Sequence, residues 1–396
     1  MASVTGKEGI QYPQPALPCI YETCLIRSIY RGENILRDKK ENALCGISGP
    51  LLSWYSENRR SLPWRDEPSA YHVWISEIML QQTRVEAVKG YYARFLQRFP
   101  DIFALARADE DTILKLWEGL GYYSRARNLQ RAARVLVTEY GGEMPRSAGE
   151  LKKLPGIGQY TAAAVASIAF GEKIPAVDGN LLRVFSRLTL YDKEIRTPAA
   201  LKAAQSFFLA EMPADHPGDF NQALMDLGAG ICTPGGTPAC GECPLRQLCL
   251  AAAQDRAAQL PLMPVKKARG IEKHTILVIR DDERILLRKR PDRGLLAGLY
   301  EFPNENGWLS EEEAVGKAGE YGCQPLHIRR LPDSKHVFTH KEWHMHGYEI
   351  RIGSFPGDAP AGGDCFTAEI REIQEKYALP SAYAVYLSQF LKDCEQ

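Results

Sequence analysis

The spacing of apolar residues divides the chain into two regions. From about residue 46 to residue 255, apolar residues recur every three to four positions, as on the buried face of a helix, and Gly or Pro marks the breaks. This spacing predicts an all-α domain with helices over residues 71–99, 102–118, 124–140, 149–171 and 199–212.

The periodicity changes after residue 273. The segment TILVIRDDERILLRKRP predicts a β-hairpin with its turn near Asp281 and Asp282, and EWHMHGYEIRIG (342–353) predicts a further strand. Helical spacing returns over residues 310–321 and 367–392. Strands and helices mixed in one segment predict a separate α+β domain.

These patterns predict the domain boundaries of a multidomain protein. We expect an irregular N-terminal extension, a helical domain, a linker with a basic end and an α+β domain, over residues 1–45, 46–259, 260–272 and 273–396. The length of 396 residues lets each domain bury its own core. Cys19, Cys24 and Cys45 in the extension are interpreted as core or free thiols, with metal binding as the alternative.

Four cysteines lie close together near the end of the helical domain, with the spacing C-x7-C-x2-C-x5-C: Cys232, Cys240, Cys243 and Cys249. Thiolates bind zinc or iron–sulfur clusters. Structural zinc sites usually contain two close cysteine pairs, whereas this segment has one. The spacing therefore favours a [4Fe–4S] cluster, and zinc or four unpaired thiols are the alternatives.

The net charge, the cysteines and the apolar content together limit where the protein acts and what it binds. The net charge is zero at pH 7, so affinity for a polyanion must come from local patches. The cysteine cluster favours a reducing compartment. The sequence has no 18-residue apolar run and no signal-peptide core. We expect a soluble, intracellular protein that does not bind membranes.

The segment LPGIGQYTAAAVASIAF (154–170) predicts a glycine turn that opens a helix. Gly156 and Gly158 allow positive φ and close approach of a ligand to the backbone. The amides of the first helical turn then form an anion site suited to a phosphodiester, and Lys152 and Lys153 precede the turn. An ordinary helix–helix turn is the alternative.

A run of arginines supports binding to nucleic acid. Tyr122 and Tyr123 stand next to this run, and aromatic rings can stack on bases. A solvated helix face is the alternative interpretation of the arginines, which are Arg125, Arg127, Arg131 and Arg134.

Two carboxyl groups are candidates for catalysis. Glu77 lies in the apolar segment YHVWISEIMLQQTRV, where burial would raise its pKa and let it act as a general acid. Asp178 precedes a helix, so it is a helix cap or an ionised group that stabilises an oxocarbenium-like transition state. Cleavage of a glycosidic bond requires two carboxyl groups in different roles.

In their order along the chain, these segments resemble the MutY family of adenine DNA glycosylases, a branch of the helix–hairpin–helix superfamily that includes endonuclease III. The resemblance covers about residues 50–390. It rests on WISEIMLQQT (74–83), GLGYYSRARNL (119–129), LPGIGQYTA (154–162), VDGN (177–180) and the four cysteines.

The resemblance implies excision of adenine paired with 8-oxoguanine in double-stranded DNA. It assigns protonation of adenine to Glu77, stabilisation of the sugar cation to Asp178 and hydrogen bonding to Tyr160. Tyr160 stands where bifunctional relatives carry the lysine of Schiff-base chemistry, so the resemblance implies a monofunctional enzyme. Gln82 and Tyr122 match positions that enter the duplex around the lesion, and Leu120 and Gln81 are weaker candidates for contact with DNA.

Two features depart from the family pattern. The first cysteine gap has seven residues where the family usually has six, and the extra residue falls in TPGGTPA. The C-terminal segment RPDRGLLAGLYEFP (290–303) resembles the nudix-like module of the family but lacks a nudix hydrolase box, which predicts recognition rather than hydrolysis.

Phe338, Thr339 and His340 match the Phe-Ser-His loop that reads the lesion in the family, with Thr in place of Ser. They lie in HVFTHKEWHMH (336–346), whose four histidines also permit a metal site or a polar strand face.

Three other functions compete with adenine excision. They are excision of thymine or uracil opposite guanine, non-catalytic DNA binding by an iron–sulfur protein, and nucleotide hydrolysis by the C-terminal domain. Glu77 together with the C-terminal module disfavours excision of thymine or uracil. The presence of both Glu77 and Asp178 disfavours non-catalytic binding, and the missing nudix box disfavours nucleotide hydrolysis. We expect a monomer that acts in a cytoplasm of bacterial type, in association with the nucleoid.

Overall fold

The computed structural model describes residues 46–66, 68–264, 268–355 and 364–391. The predicted extension over residues 1–45, with Cys19, Cys24 and Cys45, lies outside this part of the chain, as do residues 265–267 of the predicted linker. Within the described residues, no helix has both the length and the apolar character needed to cross a membrane.

The first part of the chain is helical, as its periodicity predicts. Short 3₁₀ turns at Cys240–Glu242 and Arg246–Leu248 lie among the cysteines. The α-helices up to residue 264 are α1 Ser48–Asn58, α2 Pro63–Asp66, α3 Ala70–Leu80, α4 Val85–Arg98, α5 Ile102–Arg107, α6 Glu110–Leu116, α7 Ser124–Tyr140, α8 Ala148–Leu151, α9 Gln159–Phe170, α10 Gly179–Leu188, α11 Pro198–Glu211, α12 Pro217–Gly230 and α13 Leu250–Ala253.

Polar side chains at helix starts explain where the longer predicted stretches divide. Asp101 and Asp109 accept hydrogen bonds from the backbone amides of Ala104 and Thr112, which starts separate helices α5 and α6. The predicted stretch over residues 71–99 divides between Leu80 and Val85.

The second part contains one mixed sheet. Its strands are β1 Gly270–Arg280, β2 Arg284–Lys289, β3 Tyr300–Glu301, β4 Asn304–Asn306, β5 Pro325–Val337, β6 Lys341–Ile352 and β7 Cys365–Glu369. The main strand order is β3-β2-β1-β6-β5; β4 pairs with β1, and β7 with β2. β1 and β6 are parallel, and the other pairs are antiparallel.

Three helices cover the two faces of this sheet: α14 Glu311–Glu320, α15 Ile370–Glu375 and α16 Ala384–Leu391. Alternate residues of β1 enter different cores. Ile276 and Val278 pack in the core with α16, whereas Leu277 and Ile279 pack in the core with α14. The period-two pattern of the sequence therefore becomes a sheet with helices on both sides, as predicted for an α+β domain.

One predicted helix begins as a strand. Residues 365–369 form β7, and Ala368 pairs with Ile285 of β2. The prediction of helix from residue 367 is wrong here because a partner strand distant in sequence decides the conformation.

The chain forms two compact units, and each draws on separated segments. One contains residues 46–81 and 139–265, and the other contains residues 82–138 and 266–396. Helices α4 to α6 therefore belong with the sheet, although they precede it by more than a hundred residues. The linear domain boundaries stay a prediction.

Candidate active site and DNA-contacting surfaces

Helices α3 and α9 pack against each other and bring two predicted site residues together. Glu77 lies on the buried part of α3, beside Trp74, Ile75 and Ile78. Tyr160 lies in the first turn of α9, and its hydroxyl donates a hydrogen bond of 2.7 Å to Oε2 of Glu77.

The surroundings of Glu77 favour its protonated form. The pKa of Glu77 is raised from 4.5 to about 7. Burial is the main cause of the rise and the charge of Asp178 adds to it, while the hydrogen bond from Tyr160 and the charge of Arg65 oppose it. A carboxyl group with a pKa near neutrality can donate a proton at physiological pH.

Asp178 caps helix α10 and also belongs to this site. Its Oδ1 atom accepts hydrogen bonds of 2.8 Å from the amides of Asn180 and Leu181. Burial raises its pKa, and these hydrogen bonds oppose the rise by stabilising the carboxylate. The two interpretations of Asp178, helix cap and active-site carboxylate, are therefore compatible.

A second buried acid, Asp226 on α12, was missed from the sequence. It forms ion pairs with Arg60 and Arg65, at 2.5 Å and 2.7 Å. Burial opposes its ionisation, but Arg65 and Arg60 outweigh that effect and lower its pKa. Asp226 is a single acid in the apolar segment FNQALMDLG. A lone acid among apolar residues is also the pattern that made Glu77 a candidate.

The glycine turn before α9 leads into the N-terminus of the helix, and that end of a helix suits an anion. Gly156 has a φ of +75°, a conformation that favours glycine. Gly158 has a φ of −83° and is the N-cap of α9 without a side-chain cap, so the prediction of positive φ at Gly158 is wrong. Lys153 pairs with Glu150 at 2.7 Å.

The four clustered cysteines line one cavity, together with apolar residues such as Leu227 and Leu245. Nη1 of Arg187 donates a hydrogen bond of 3.2 Å to Sγ of Cys232. Across the described ranges, no group of three or more His, Cys, Asp or Glu side chains is arranged to hold a metal ion. The four thiols share this cavity, and thiolates are ligands of both zinc and iron–sulfur clusters.

The long first gap of the cysteine segment is accommodated by a surface turn. Gly235 and Gly236 have φ values of +74° and +67°, and a Cβ atom at either would contact nothing within 4 Å. At the base of the loop, the amide of Ala239 donates to the carbonyl of Ile231 at 3.1 Å. The extra residue therefore extends outward, while Cys232 and Cys240 remain at the base.

Two residues that match DNA-contacting positions have left-handed backbones. Gln82 and Tyr122 have φ values of 60° and 49°, and such strain is concentrated at functional sites. Both side chains are exposed. Leu120, in contrast, is buried, so its position does not support the predicted contact with DNA.

Much of the arginine run has a structural role. Arg125 is buried and donates to the carbonyls of Leu120 and Gly121, each at 3.0 Å. Arg127 pairs with Glu110 at 2.8 Å. The interpretation of the whole run as a DNA-binding surface is therefore wrong for these two positions.

Phe338, Thr339 and His340 form the tip of the β5–β6 hairpin, and we call them the recognition tip. The hydroxyls of Thr339 and Tyr122 are 2.9 Å apart and share a hydrogen bond. The Phe338 ring packs against Trp343, with 4.9 Å between centroids. Phe338 therefore anchors the tip, whereas Thr339 and His340 are exposed.

The histidines near this tip do not converge. His336 contacts Phe338, and Thr275 lies 2.9 Å from His346. His344 lies beside Glu342 at 3.5 Å. These separate partners favour the polar strand face over a shared metal site.

Comparisons with known proteins show the family of this chain. Residues 75–208 match the family described as "HhH-GPD superfamily base excision DNA repair protein", and residues 274–389 match the NUDIX domain. An adenine DNA glycosylase of Mus musculus is 36% identical over 380 residues, which cover 81% of this chain and 73% of that protein. One of Homo sapiens is 35% identical over 434 residues, which cover 93% of this chain and 78% of that protein.

Among solved structures, a thermostable thymine-DNA glycosylase is 32% identical with a TM-score of 0.46, covering 52% of this chain and 94% of that chain. The family matches confirm the predicted fold class of a helix–hairpin–helix domain followed by a nudix-like domain. Because two adenine DNA glycosylases align with most of its length, the chain belongs to the adenine DNA glycosylase family, whose members are N-glycosylases of base excision repair.

Proposed function

We propose that this enzyme removes adenine paired with 8-oxoguanine from double-stranded DNA and leaves the sugar–phosphate strand intact. The hydrogen bond between Tyr160 and the buried Glu77 carries this proposal. The Glu77 carboxyl group in this hydrogen bond lies in an apolar site and has a pKa of about 7. The adenine must leave the base stack to reach such a site.

Glu77 acts as the general acid. Adenine is a poor leaving group until a ring nitrogen is protonated, and the neutral Glu77 carboxyl supplies that proton. The resulting carboxylate can then accept a proton from the attacking water. The Tyr160 hydroxyl donates to the carboxylate and stabilises it after proton transfer.

Asp178 stabilises the positive charge that develops on the sugar as the glycosidic bond breaks. Two backbone amides hold its carboxylate in place. Departure of adenine produces an oxocarbenium-like sugar, and a fixed carboxylate lowers the free energy of that transition state. Water then completes hydrolysis of the bond.

Position 160 explains why the strand stays intact. Strand cleavage by bifunctional relatives requires an amine that forms a Schiff base with the sugar. Tyr160 provides a phenol, and burial together with the charge of Glu77 raises its pKa well above 10. A neutral phenol beside a carboxyl group cannot form a Schiff base.

The recognition tip reads the oxidised base. Guanine presents an acceptor at N7, whereas 8-oxoguanine presents an N7–H donor and a carbonyl oxygen at C8. A hydroxyl pair such as Tyr122 and Thr339 can accept from N7–H, and an exposed imidazole such as His340 can donate to the new carbonyl. These groups therefore distinguish the two bases by their hydrogen bonds.

Cys232, Cys240, Cys243 and Cys249 would hold a [4Fe–4S] cluster. A bound cluster would supply no step of hydrolysis and would hold the loop over residues 232–249 against α10 and α12. We expect yellow-brown protein with about four iron atoms per chain. One zinc and no iron after anaerobic purification would contradict the assignment.

The test of the proposed function is a panel of duplexes. They carry adenine opposite 8-oxoguanine, adenine opposite guanine, and thymine or uracil opposite guanine. We expect release of adenine alone, fastest opposite 8-oxoguanine, with strand breaks only after alkali. Preferential release of thymine or uracil would establish the competing glycosylase activity instead, and a borohydride-trapped complex formed as fast as base release would contradict the monofunctional mechanism.

A further inference from the structure

The turn that carries Tyr122 is attached to the C-terminal part of the same compact unit by two charged side chains. Lys115 and Glu118 lie at the end of α6 and just before the turn over residues 119–123. Lys115 donates to the carbonyls of Ile373 and Tyr377, at 3.1 Å and 3.0 Å. Oε1 of Glu118 accepts from the amide of Leu379 at 2.8 Å. We call this arrangement the polar clamp.

The clamp satisfies backbone groups that have no regular secondary structure. Residues 377–380 are irregular, and Ala378 and Leu379 are buried. Buried backbone groups need hydrogen-bond partners. The carbonyl of Ala378 accepts from the amide of Tyr300 at 3.1 Å, and the clamp provides partners for the groups on either side. Lys115 and Glu118 also pair with each other at 2.6 Å, so the two contacts reinforce one another.

Further contacts fix the same helical segment to the C-terminal part. Asp111 of α6 accepts from the hydroxyl of Tyr300 at 2.8 Å and pairs with Lys289 at 3.2 Å. Arg127 of α7 donates to the carbonyl of Ala297. A Cβ atom on Gly298 would lie 2.5 Å from the Arg127 guanidinium, so the absence of a side chain at Gly298 makes room for this contact.

Within the turn itself, short-range contacts leave little freedom. The indole of Trp117 donates to the carbonyl of Gly121 at 3.1 Å, and Arg125 binds the same carbonyl at 3.0 Å. A Cβ atom on Gly119 would collide with the hydroxyl of Tyr91. A displacement at Glu118 is therefore passed directly to Tyr122, four residues later.

We infer that Lys115 and Glu118 are positioning residues for lesion recognition: they set the place of the Tyr122 hydroxyl relative to Thr339 in the recognition tip. This inference rests on the proposed reading of 8-oxoguanine by Tyr122 and the tip. Both side chains bind backbone groups of residues 373–379. Their effect comes from fixing the turn at one end while the Tyr122–Thr339 hydrogen bond closes the other end.

The experiment compares adenine release opposite 8-oxoguanine and opposite guanine. Glu118→Ala removes the acceptor for Leu379, and Lys115→Met removes the donor while keeping an apolar stem. We expect each variant to lower the kcat/KM preference for the 8-oxoguanine duplex about five- to tenfold, which corresponds to the net contribution of about one ordinary hydrogen bond. Single-turnover release from saturated adenine–guanine duplex should stay within about twofold of wild type.

Two further variants separate positioning from general stability. Glu118→Gln keeps an oxygen that accepts from Leu379 and should retain most of the preference. Lys317→Met breaks a similar pair with Glu320 in α14 of the same unit and should leave the preference unchanged. Hydrogen exchange should become faster at the amides of residues 119–123 in Glu118→Ala but not in Lys317→Met.

Clear outcomes overturn the inference. A wild-type preference in both clamp variants would do so, as would an equal loss of activity on the two duplexes with a lowered unfolding temperature. If alanine substitution of the whole recognition tip abolishes the preference while the clamp variants keep it, the inference fails and the proposed reader stands. If the tip variant keeps the preference, the proposed reader itself is wrong.

Discussion

Two hydrogen bonds of similar length occupy opposite surroundings in this enzyme. Tyr160 donates to Glu77 at 2.7 Å, where Glu77 is 6% exposed. Tyr122 and Thr339 share a bond of 2.9 Å, where Tyr122 is 47% exposed. Burial converts the first contact into control of a proton, because it shifts a pKa. Exposure leaves the second contact open to exchange with a ligand, so it suits recognition.

This difference predicts that substitutions at the buried Glu77 site affect the chemical step, whereas substitutions at the exposed Tyr122–Thr339 contact affect recognition of the lesion. The largest effect is expected for Glu77→Gln, which keeps the shape of the side chain but removes the proton donor. General acids contribute about 10²–10⁴-fold, so single-turnover release of adenine should fall at least that far while binding to lesion DNA persists. Glu57→Gln, at an exposed position of α1, is the control. Near-normal release by Glu77→Gln would show that Glu77 is not the general acid, and the contrast between a chemical site and a recognition site would fail.

The pH dependence of the reaction sharpens the comparison. Glu77 has a pKa of about 7 and acts in its protonated form, so the single-turnover rate should be highest below that pH and fall about tenfold per unit above it. The Tyr160 hydrogen bond lowers this pKa by stabilising the carboxylate. Tyr160→Phe should therefore move the falling limb to higher pH. Single-turnover rates should be measured across pH in the wild type and in Tyr160→Phe, with saturating enzyme. A rate that does not change with pH near 7 would show that Glu77 is not the acid.

A smaller and different effect is expected at the recognition tip. Replacing Phe338, Thr339 and His340 together by Ala should reduce the preference for adenine opposite 8-oxoguanine over adenine opposite guanine. A good contact to a base edge contributes about 1–3 kcal/mol of discrimination. Chemistry on fully bound substrate should change less, which single-turnover and kcat/KM measurements would separate.

The smallest effect is expected for a single hydroxyl. Thr339→Val removes the partner of Tyr122 with little change of shape, and should reduce the preference by the value of one neutral hydrogen bond, about 1 kcal/mol. Thr339→Ser keeps the hydroxyl and should match wild type in the same competition assay. Equal behaviour of the two variants would show that the tip does not read the base through this group.

Much of the buried site could be predicted from the sequence because its signals are local. Glu77 stands alone among apolar residues, and the helix around it follows from periodicity. The partner of Glu77 is less accessible to such reasoning: the contact with Tyr160 depends on packing between α3 and α9, which are eighty residues apart. Only the family resemblance assigned Tyr160 to the site.

The wrong predictions concern residues whose role or conformation depends on partners that are distant in sequence. Arg125 and Arg127 have the spacing of a basic surface, yet their guanidinium groups bind carbonyls and an acid of the same unit. Residues 367–369 fall in a predicted helix but pair with β2. No local pattern distinguishes a solvated arginine from one that satisfies a buried carbonyl, so these roles became visible only with the fold.

The left-handed backbone of Gln82 has a consequence for evolution under selection for heat resistance. Glycine adopts that conformation without the steric penalty, which is about 1 kcal/mol for other residues. Gln82→Gly would therefore relieve strain in the native state while removing a side chain that matches a DNA-contacting position. If Gln82 contacts DNA as its match to the family predicts, a thermophilic relative could not use this substitution without binding DNA more weakly, and added stability would have to arise elsewhere in the chain.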